Sequence, residues 1–189
     1  MSDISFEDRT VIVTGAGNGL GKAYAIELGN RGAKVVVNDL GGSVDGSGSG
    51  STPADEVVNE IIANGGEAVA NYDSVATKDG GEAIVQTAID SFGTVDAVIN
   101  NAGILRDKSF AKMTEEELSL IIDVHLKGTF FVSQPAFTVM KEKNYGRIVN
   151  VASPSGLFGN FGQSNYGAAK MGIVGLTNVL AIEGAKYNI

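Results

Sequence analysis

A run of glycines near the N-terminus, Thr14-Gly-Ala-Gly-Asn-Gly-Leu-Gly21, places the strongest constraint on the fold of this chain. It follows the β-branched run of residues 10–14 and precedes an amphipathic stretch that extends to Gly29. Glycine accepts positive φ angles and lets a ligand approach the backbone closely. The first turn of a helix presents free N–H groups and partial positive charge. We therefore predict a strand–turn–helix unit whose turn can hold a phosphate group.

Strand-like and helix-like segments alternate along the sequence, which predicts one α/β domain over residues 1–189. The strand-like runs are continuously rich in valine and isoleucine, as is typical of parallel strands buried on both faces. We expect a Rossmann-type doubly wound parallel sheet with right-handed crossovers and the strand order 3-2-1-4-5. The predicted strands are residues 10–14, 33–38, 67–70, 95–99 and 147–151.

Helix signals fall between these runs. Thr52-Pro53 predicts a helix with threonine as its N-cap and proline as its first residue. Thr114 and Glu117 have the spacing of a capping box, which opens a long helix with apolar residues as far as Phe130. A final helix is predicted over residues 165–186.

Composition excludes several classes of function. The net charge is −8 and the chain has no basic stretch, which argues against nucleic-acid binding. Cysteine is absent and His125 is the only histidine, so disulfides, thiolate catalysis and a histidine or cysteine metal site are excluded. The first ten residues are polar and acidic, unlike a signal peptide, and no apolar run reaches membrane-spanning length. We expect no metal and a reducing intracellular compartment.

Residues 41–50 form a glycine- and serine-rich segment directly after the second predicted strand. Such a composition is typical of a flexible surface insertion. The alternative interpretation is a flap over one end of a nucleotide bound at the sheet edge.

The polar motifs all follow predicted strands. In a doubly wound sheet the ligand lies beyond the carboxyl ends of the strands. Gly15 follows the first strand, Asp39 the second, Asn100-Asn-Ala-Gly103 the fourth and Ser153 the fifth. A carboxylate at Asp39 can accept hydrogen bonds from ribose hydroxyls and would repel a 2′-phosphate, which favours NAD over NADP. The alternative is an ordinary solvated aspartate in a turn.

Tyr166 and Lys170 are four residues apart on the final predicted helix, and Ser153 lies thirteen residues before the tyrosine. A four-residue spacing puts two side chains on one helix face. Hydride transfer to a ketone leaves an alkoxide that needs a proton, and a phenol beside an ammonium group can supply one near neutral pH. The shift from a free phenol takes roughly 4 kcal/mol, which one cation about 4 Å away can provide. Singly, each residue could be an ordinary packing, surface or turn residue.

With the glycine run, Asn100-Asn-Ala-Gly103, Ser153 and Tyr166-Gly-Ala-Ala-Lys170, the chain resembles the short-chain dehydrogenase/reductase family over essentially its whole length. The resemblance implies that Tyr166 is the general acid and base, that Ser153 positions the carbonyl, and that Lys170 binds the nicotinamide ribose and favours the ionised phenol. Ser74 and Val75 would face the adenine, and Asn101 the adenosine ribose. The cofactor-binding residues implied are Gly15, Asn18, Gly19, Leu20, Gly21, Asp39, Ser74, Val75, Asn101, Ala102, Gly103, Tyr166 and Lys170.

Within the family, Val37-Asn-Asp-Leu-Gly-Gly42, Gly103-Ile-Leu-Arg-Asp107 and Asp123-Val-His-Leu-Lys-Gly128 look like the (3R)-hydroxyacyl-CoA dehydrogenase branch, found in peroxisomal multifunctional enzymes. This resemblance implies hydride transfer between NAD and the 3-position of a hydroxyacyl or ketoacyl thioester. The alternatives are a 3-oxoacyl-acyl-carrier-protein reductase and a truncated, non-catalytic NAD-binding module. Asp39 argues against the reductase, because reductive synthesis usually draws on NADPH.

The resemblance carries further expectations. It implies a homodimer or homotetramer, in the peroxisome of a eukaryote or the cytoplasm of a bacterium. Most family members have asparagine where this chain has His125, so the histidine is either part of the proton relay or a packed helix residue. The family's fold normally continues with two more strands and a substrate-covering helix pair. We therefore expect this chain to be C-terminally incomplete, without those strands.

Overall fold

The computed structural model describes residues 4–42, 45–48 and 52–189. Five parallel strands form one sheet in the order β3-β2-β1-β4-β5, which confirms the predicted topology. The strands are β1 Thr10–Thr14, β2 Lys34–Asn38, β3 Glu67–Asn71, β4 Ala97–Asn100 and β5 Arg147–Asn150.

Helices cover both faces of this sheet. They are α1 Gly19–Asn30, α2 Thr52–Ala63, α3 Lys78–Phe92, α4 Glu115–Ile121, α5 Gly128–Lys143, α6 Pro154–Phe158 and α7 Ser164–Gly184. A π-helical segment, Ile122–Lys127, joins α4 to α5, and short 3₁₀ turns occupy Phe110–Lys112 and Ala185–Tyr187.

The core is split by the sheet because successive residues of a strand point to opposite faces. Val11 and Val13 of β1 pack with Ile61 of α2 on one face. Ile12, between them in sequence, packs with Ile84 of α3 and Met140 of α5 on the other. This double burial explains the uninterrupted valine and isoleucine runs.

Helix ends agree with the sequence signals to within a residue or so. The capping box forms as predicted: Glu117 N–H donates to Thr114 Oγ1 at 3.2 Å, and Thr114 N–H donates to Glu117 Oε2 at 3.0 Å. The predicted start of α2 is wrong by one residue, because the helix already includes Thr52, and Pro53 is its second residue. Residues 43, 44 and 49–51, part of the glycine- and serine-rich segment, lie outside the described residues.

The predicted long helix after Thr114 is interrupted. Between α4 and α5 the backbone takes π-helical geometry over Ile122–Lys127, which includes His125. Such segments are rare and occur frequently at functional sites. The interruption changes which side chains face the sheet edge, and it bears directly on the site below.

Candidate active site

The glycine turn between β1 and α1 has the geometry that requires glycine. Gly15 and Gly19 have φ angles of +62° and +55°, in the left-handed region. At Gly21 a Cβ atom would lie 2.1 Å from the carbonyl oxygen of Gly15. The turn therefore closes tightly against the first turn of α1, with Asn18 and Leu20 between its glycines, and leaves the helix N-terminus open to an anion.

Asn101, directly after β4, ties this turn to the neighbouring strand. Its Nδ2 donates to the carbonyl oxygens of Thr14 and Gly15, both at 3.0 Å. In return, Thr14 Oγ1 accepts from the backbone N–H groups of Asn101 and Ala102, both at 3.1 Å. The side-chain amide of Asn101 therefore holds the glycine turn in position. The spacing of residues in the sequence did not indicate this role.

Asp39 ends up where the sequence predicted, at the carboxyl end of β2 beside the glycine turn. Its Oδ2 accepts from Gly17 N–H at 2.8 Å and its Oδ1 from Gly41 N–H at 2.7 Å. A Cβ atom at Gly17 would lie 2.8 Å from Asp39 Cγ and 2.7 Å from Pro53 Cβ. Gly17, which is not part of the spaced glycine pattern, is thus the residue that lets this carboxylate approach the turn.

The predicted adenine side lies between β3 and α3. Asn38, buried at the end of β2, donates from Nδ2 to Asn71 Oδ1 at 2.8 Å and to the Asp73 carbonyl at 2.9 Å. This link fixes the backbone just before Ser74. Val75 is 8% exposed and lines a small cleft together with Ala102, so its side chain packs inward.

Tyr166 and Lys170 share one face of α7, as their spacing predicted. Lys170 Nζ lies 5.6 Å from the centroid of the Tyr166 ring and donates to the Val151 carbonyl at 2.6 Å. Lys170 is only 3% exposed, and burial lowers its pKa from 10.5 to about 8. The ammonium group is therefore mostly charged at pH 7, and it loses its proton at a lower pH than an exposed lysine does.

Ser153 follows β5 and caps α6. Its Oγ accepts from Ser155 N–H at 3.2 Å. Helix α6 lies against the first turns of α7: a Cβ atom at Gly156 would be 3.1 Å from Lys170 Cβ, and one at Gly167 would be 3.0 Å from the Ser155 carbonyl oxygen. These two close approaches bring the serine segment beside the tyrosine–lysine pair.

His125 proves to be part of this centre. Its ring meets the Tyr166 ring edge-on, with centroids 5.1 Å apart. Its Nε2 lies 3.1 Å from Ile104 N and 2.8 Å from Ile104 O, and Nδ1 is buried without a hydrogen-bond partner among the described residues. A Cβ atom at Gly103 would be 2.5 Å from His125 Cε1, so Gly103 makes room for the ring.

The imidazole of His125 is neutral at physiological pH. Burial is the main cause: it lowers the pKa from 6.5 to about 4. The nearby charge of Lys170 lowers it further, and the backbone hydrogen bond with Ile104 opposes the shift. The sequence allowed two interpretations of His125, a member of the proton relay or a packed helix residue. Its contact with Tyr166 depends on the π-helical turn, which no local sequence pattern indicates.

Asn165, which the sequence did not single out, holds Tyr166 in place. It is fully buried, and its Nδ2 donates to the carbonyls of Arg106 at 3.0 Å and Glu117 at 3.1 Å. Its Oδ1 accepts from Tyr166 N–H at 2.8 Å. The first turn of α7 is thereby attached to the segment after β4 and to α4.

The described residues contain neither a candidate metal site nor a candidate membrane-spanning helix. Across residues 4–42, 45–48 and 52–189, no group of three or more histidine, aspartate or glutamate side chains is placed to hold a metal ion. None of the helices in that same part of the chain has the length and apolar character needed to cross a membrane.

Several known proteins are similar to this chain over nearly its whole length. The chain is 62% identical over 187 residues to the peroxisomal hydratase-dehydrogenase-epimerase of Saccharomyces cerevisiae, covering 99% of this chain and 21% of that protein. It is 57% identical over 188 residues to the peroxisomal multifunctional enzyme type 2 of Mus musculus, covering 100% and 25%. The chain thus spans a quarter or less of the length of these two relatives.

Solved structures with a similar fold include short chain dehydrogenases and multifunctional enzymes. A crystal structure of a short chain dehydrogenase from Mycobacterium avium matches with a TM-score of 0.89 and 47% identity, over 96% of this chain and 64% of that one. The full-length peroxisomal multifunctional enzyme type 2 of Drosophila melanogaster matches with a TM-score of 0.81 and 47% identity, over 98% and 30%. The profile of the family described as short chain dehydrogenase matches residues 9–189. By sequence, fold and the placement of its motifs, this chain belongs to the short chain dehydrogenase family.

Proposed function

We propose that this chain catalyses hydride transfer between NAD and the 3-position of a hydroxyacyl or ketoacyl thioester, with (3R)-hydroxyacyl-CoA as the substrate. The observation that carries the proposal is the close grouping of Tyr166, the buried ammonium of Lys170 and His125 beside the glycine turn. The names of relatives more than half identical to the chain, a hydratase-dehydrogenase-epimerase and multifunctional enzymes, are consistent with it.

The cofactor supplies the hydride acceptor when bound. Its pyrophosphate would lie on the glycine turn, where an added Cβ at Gly21 would clash and the N-terminus of α1 is open. Asp39 would accept hydrogen bonds from the adenosine ribose, and Asn18, Leu20, Ala102 and Gly103 would line the path between the two ends. The family implies a nicotinamide cofactor, and the negative charge of Asp39 supports NAD over NADP.

Side chains of this protein carry out the proton transfer that accompanies hydride transfer. In oxidation, Tyr166 takes the proton of the 3-hydroxyl group, and Ser153 Oγ holds the same oxygen by a hydrogen bond. Lys170, charged and buried, would contact the nicotinamide ribose. Asn165 keeps the tyrosine at the mouth of the site through the backbone of α7.

Exposed aromatic residues near the site support an acyl substrate. Phe110, Phe158 and Phe161 are 84%, 86% and 89% exposed. Phe110 is close in sequence to Lys108, whose N–H donates to the Gly162 carbonyl at 2.8 Å, and Phe158 and Phe161 lie between Ser153 and Tyr166 in sequence. An acyl chain leaving the catalytic centre on this side would meet apolar surface.

We also propose a homodimer or homotetramer. Helices α5 and α7 and the preceding α4 expose apolar side chains that the sheet does not use: Leu118, Phe130, Met171, Val179 and Ile182. Pairing of these helices between two copies would bury them. We propose a peroxisomal location if the source is a eukaryote, in line with the names of the eukaryotic relatives, and a cytoplasmic location if it is a bacterium.

The test is an oxidation assay with pure (3R)- and (3S)-hydroxyacyl-CoA, each with NAD and with NADP. We expect turnover of the (3R) thioester with NAD. In a parallel reduction assay, faster turnover of a 3-oxoacyl-acyl-carrier-protein thioester with NADPH would favour the reductase alternative. Binding of NAD without turnover of any thioester would leave the non-catalytic module as the function.

A further inference from the structure

The segment after β2 reaches across the sheet edge to the far side of the site. A Cβ atom at Gly46 would lie 2.8 Å from Ile104 Cδ1 and 3.6 Å from Leu120 Cδ2. Gly46 therefore lies against the Ile104 side chain, with the Leu120 side chain close by. Ile104 follows β4, and Leu120 lies on α4.

This contact crosses the cofactor cleft. In the strand order β3-β2-β1-β4-β5, β1 lies between β2 and β4. Residue 48 lies beside Gly42, on the β2 side, and Gly46 lies beside Ile104, after β4. Residues 46–48 therefore lie over the carboxyl end of β1, between strands that are two spacings, about 10 Å, apart. The glycine turn, Gly15 to Gly21, begins at that end.

The described residues of this segment, 39–42 and 45–48, contact one another. At its tip, Asp45 Oδ1 accepts from the backbone N–H of Ser47 at 2.9 Å and from its hydroxyl at 2.7 Å. A Cβ atom at Gly42 would lie 2.9 Å from the Gly48 carbonyl oxygen, so residue 48 folds back beside residue 42. At its base, Gly41 N–H donates to Asp39 Oδ1.

The segment approaches the candidate site at two places, Asp39 and Ile104, which lie at opposite ends of it. Its base is bonded to Asp39, beside the glycine turn. Its tip rests on the side chain of Ile104, whose backbone N and O flank Nε2 of His125. His125 in turn contacts the ring of Tyr166.

We propose that residues 45–48 form a strap across the cofactor cleft, and that Ile104 is a positioning residue that joins this strap to His125. The strap retains the bound dinucleotide by covering its pyrophosphate, and it rests on Ile104 and Leu120 when closed. The inference about retention depends on the proposed function, whereas the contact between Gly46 and Ile104 does not.

The first experiment tests the contact without any nucleotide. Backbone ¹⁵N relaxation of the Gly46 and Gly48 amides should show an ordered strap in the unmodified protein and a more mobile one in Ile104→Ala. Leu105→Ala is the control, since Leu105 is the 39% exposed chain neighbour of Ile104, and the three atoms nearest to a Cβ at Gly46 belong to Ile104 and Leu120 instead. Equal mobility of these amides in the unmodified protein and Ile104→Ala would overturn the proposal.

The second experiment measures NAD. We expect Ile104→Ala to release NAD about three- to tenfold faster and to raise its Kd accordingly, because the strap loses the contacts of a few methyl groups. Ile104→Val should fall between, and Leu105→Ala should match the unmodified protein. Tighter NAD binding in Ile104→Ala would mean that the strap occupies the nucleotide site and competes with NAD instead of covering it. That result would also overturn the proposal.

A double-mutant cycle tests the pair directly. Gly46→Ala sets a Cβ against Ile104 Cδ1, and the clash should be relieved when Ile104 is shortened, so the two changes should be non-additive in Kd. Additive effects would contradict the proposed contact. If neither NAD nor NADP binds the unmodified protein, the proposed function fails, and the relaxation measurement still decides the strap contact.

Discussion

The imidazole of His125 meets the phenol ring of Tyr166 edge-on, with an angle of 85° between their planes. The same imidazole is held at Nε2 by the backbone of Ile104. A neutral, buried ring thus links the segment after β4 to the candidate acid and base, and its protonation would place a second cation beside Lys170.

His125 should make stability depend on pH. Its pKa is about 4 in the folded chain and 6.5 ordinarily, so between these values the unfolded chain binds a proton that the folded chain does not. Folding stability is therefore lost as pH falls from 6.5 towards 4, by up to about 3 kcal/mol. Urea unfolding of the unmodified protein and His125→Gln across this range should give curves that converge at low pH. A constant difference would contradict the assignment.

Tyr166→Phe removes the titrating hydroxyl and little else. We expect kcat to fall about 10²- to 10⁴-fold, the usual contribution of a general acid or base, with NAD binding nearly unchanged. Steady-state kinetics and a calorimetric NAD titration measure the two effects separately. A mutant that kept most of its rate would exclude the tyrosine as the proton-transfer group.

Lys170→Met keeps the aliphatic stem and removes the charge, so both NAD affinity and kcat should fall. It should also change the pH dependence of stability. Because burial lowers the pKa of Lys170 to about 8, the unfolded chain holds an extra proton between pH 8 and its ordinary 10.5. In that window the unmodified protein should gain up to about 3 kcal/mol relative to Lys170→Met as pH rises. Denaturation at pH 7.5 and pH 10 checks this, and a gain of the opposite sign would refute it.

Asp39→Asn should weaken discrimination between the two dinucleotides. The charge that repels a 2′-phosphate is lost, so the ratio of NADP to NAD dissociation constants should fall about tenfold. Asp79→Asn, an exposed change in the first turn of α3, is the matched control. An unaltered ratio in Asp39→Asn would show that another residue sets cofactor choice.

Asn101 offers a test of how the glycine turn is held. Asn101→Ala removes two hydrogen bonds to the carbonyls of Thr14 and Gly15, which should cost about 1–3 kcal/mol of stability and weaken NAD binding. Asn101→Asp should be worse, because its carboxylate would face those two carbonyl oxygens. Thermal melts with and without NAD separate the effects. If Asp were tolerated better than Ala, the amide would not be the donor in solution.

The sequence contained most of the fold because its signals are local. Uninterrupted valine runs predicted strands buried on both faces, and glycines at 15, 19 and 21 predicted a tight turn, in which positions 15 and 19 have positive φ and a Cβ at position 21 would clash. The capping box at Thr114 and the strand order 3-2-1-4-5 followed from the same kind of reasoning, and both are confirmed. The start of α2 was missed by one residue, as expected where capping decides the boundary.

The principal site residues could also be predicted from the sequence. A four-residue spacing puts two side chains on one helix face, and residues that follow parallel strands lie at the same edge of the sheet. Tyr166, Lys170, Ser153 and Asp39 lie where those rules put them. Their roles with a bound cofactor stay predictions.

Tertiary structure decided the residues that hold the site together. The π-helical turn that aims His125, the buried amide of Asn165 beside Tyr166, and the approach of Gly17 to Asp39 each join segments far apart in the chain. The contact of Gly46 with Ile104 is of the same kind. Local propensity and periodicity report only on neighbours along the chain, whereas burial, which also lowers the pKa of Lys170 and of His125, is a property of the assembled core.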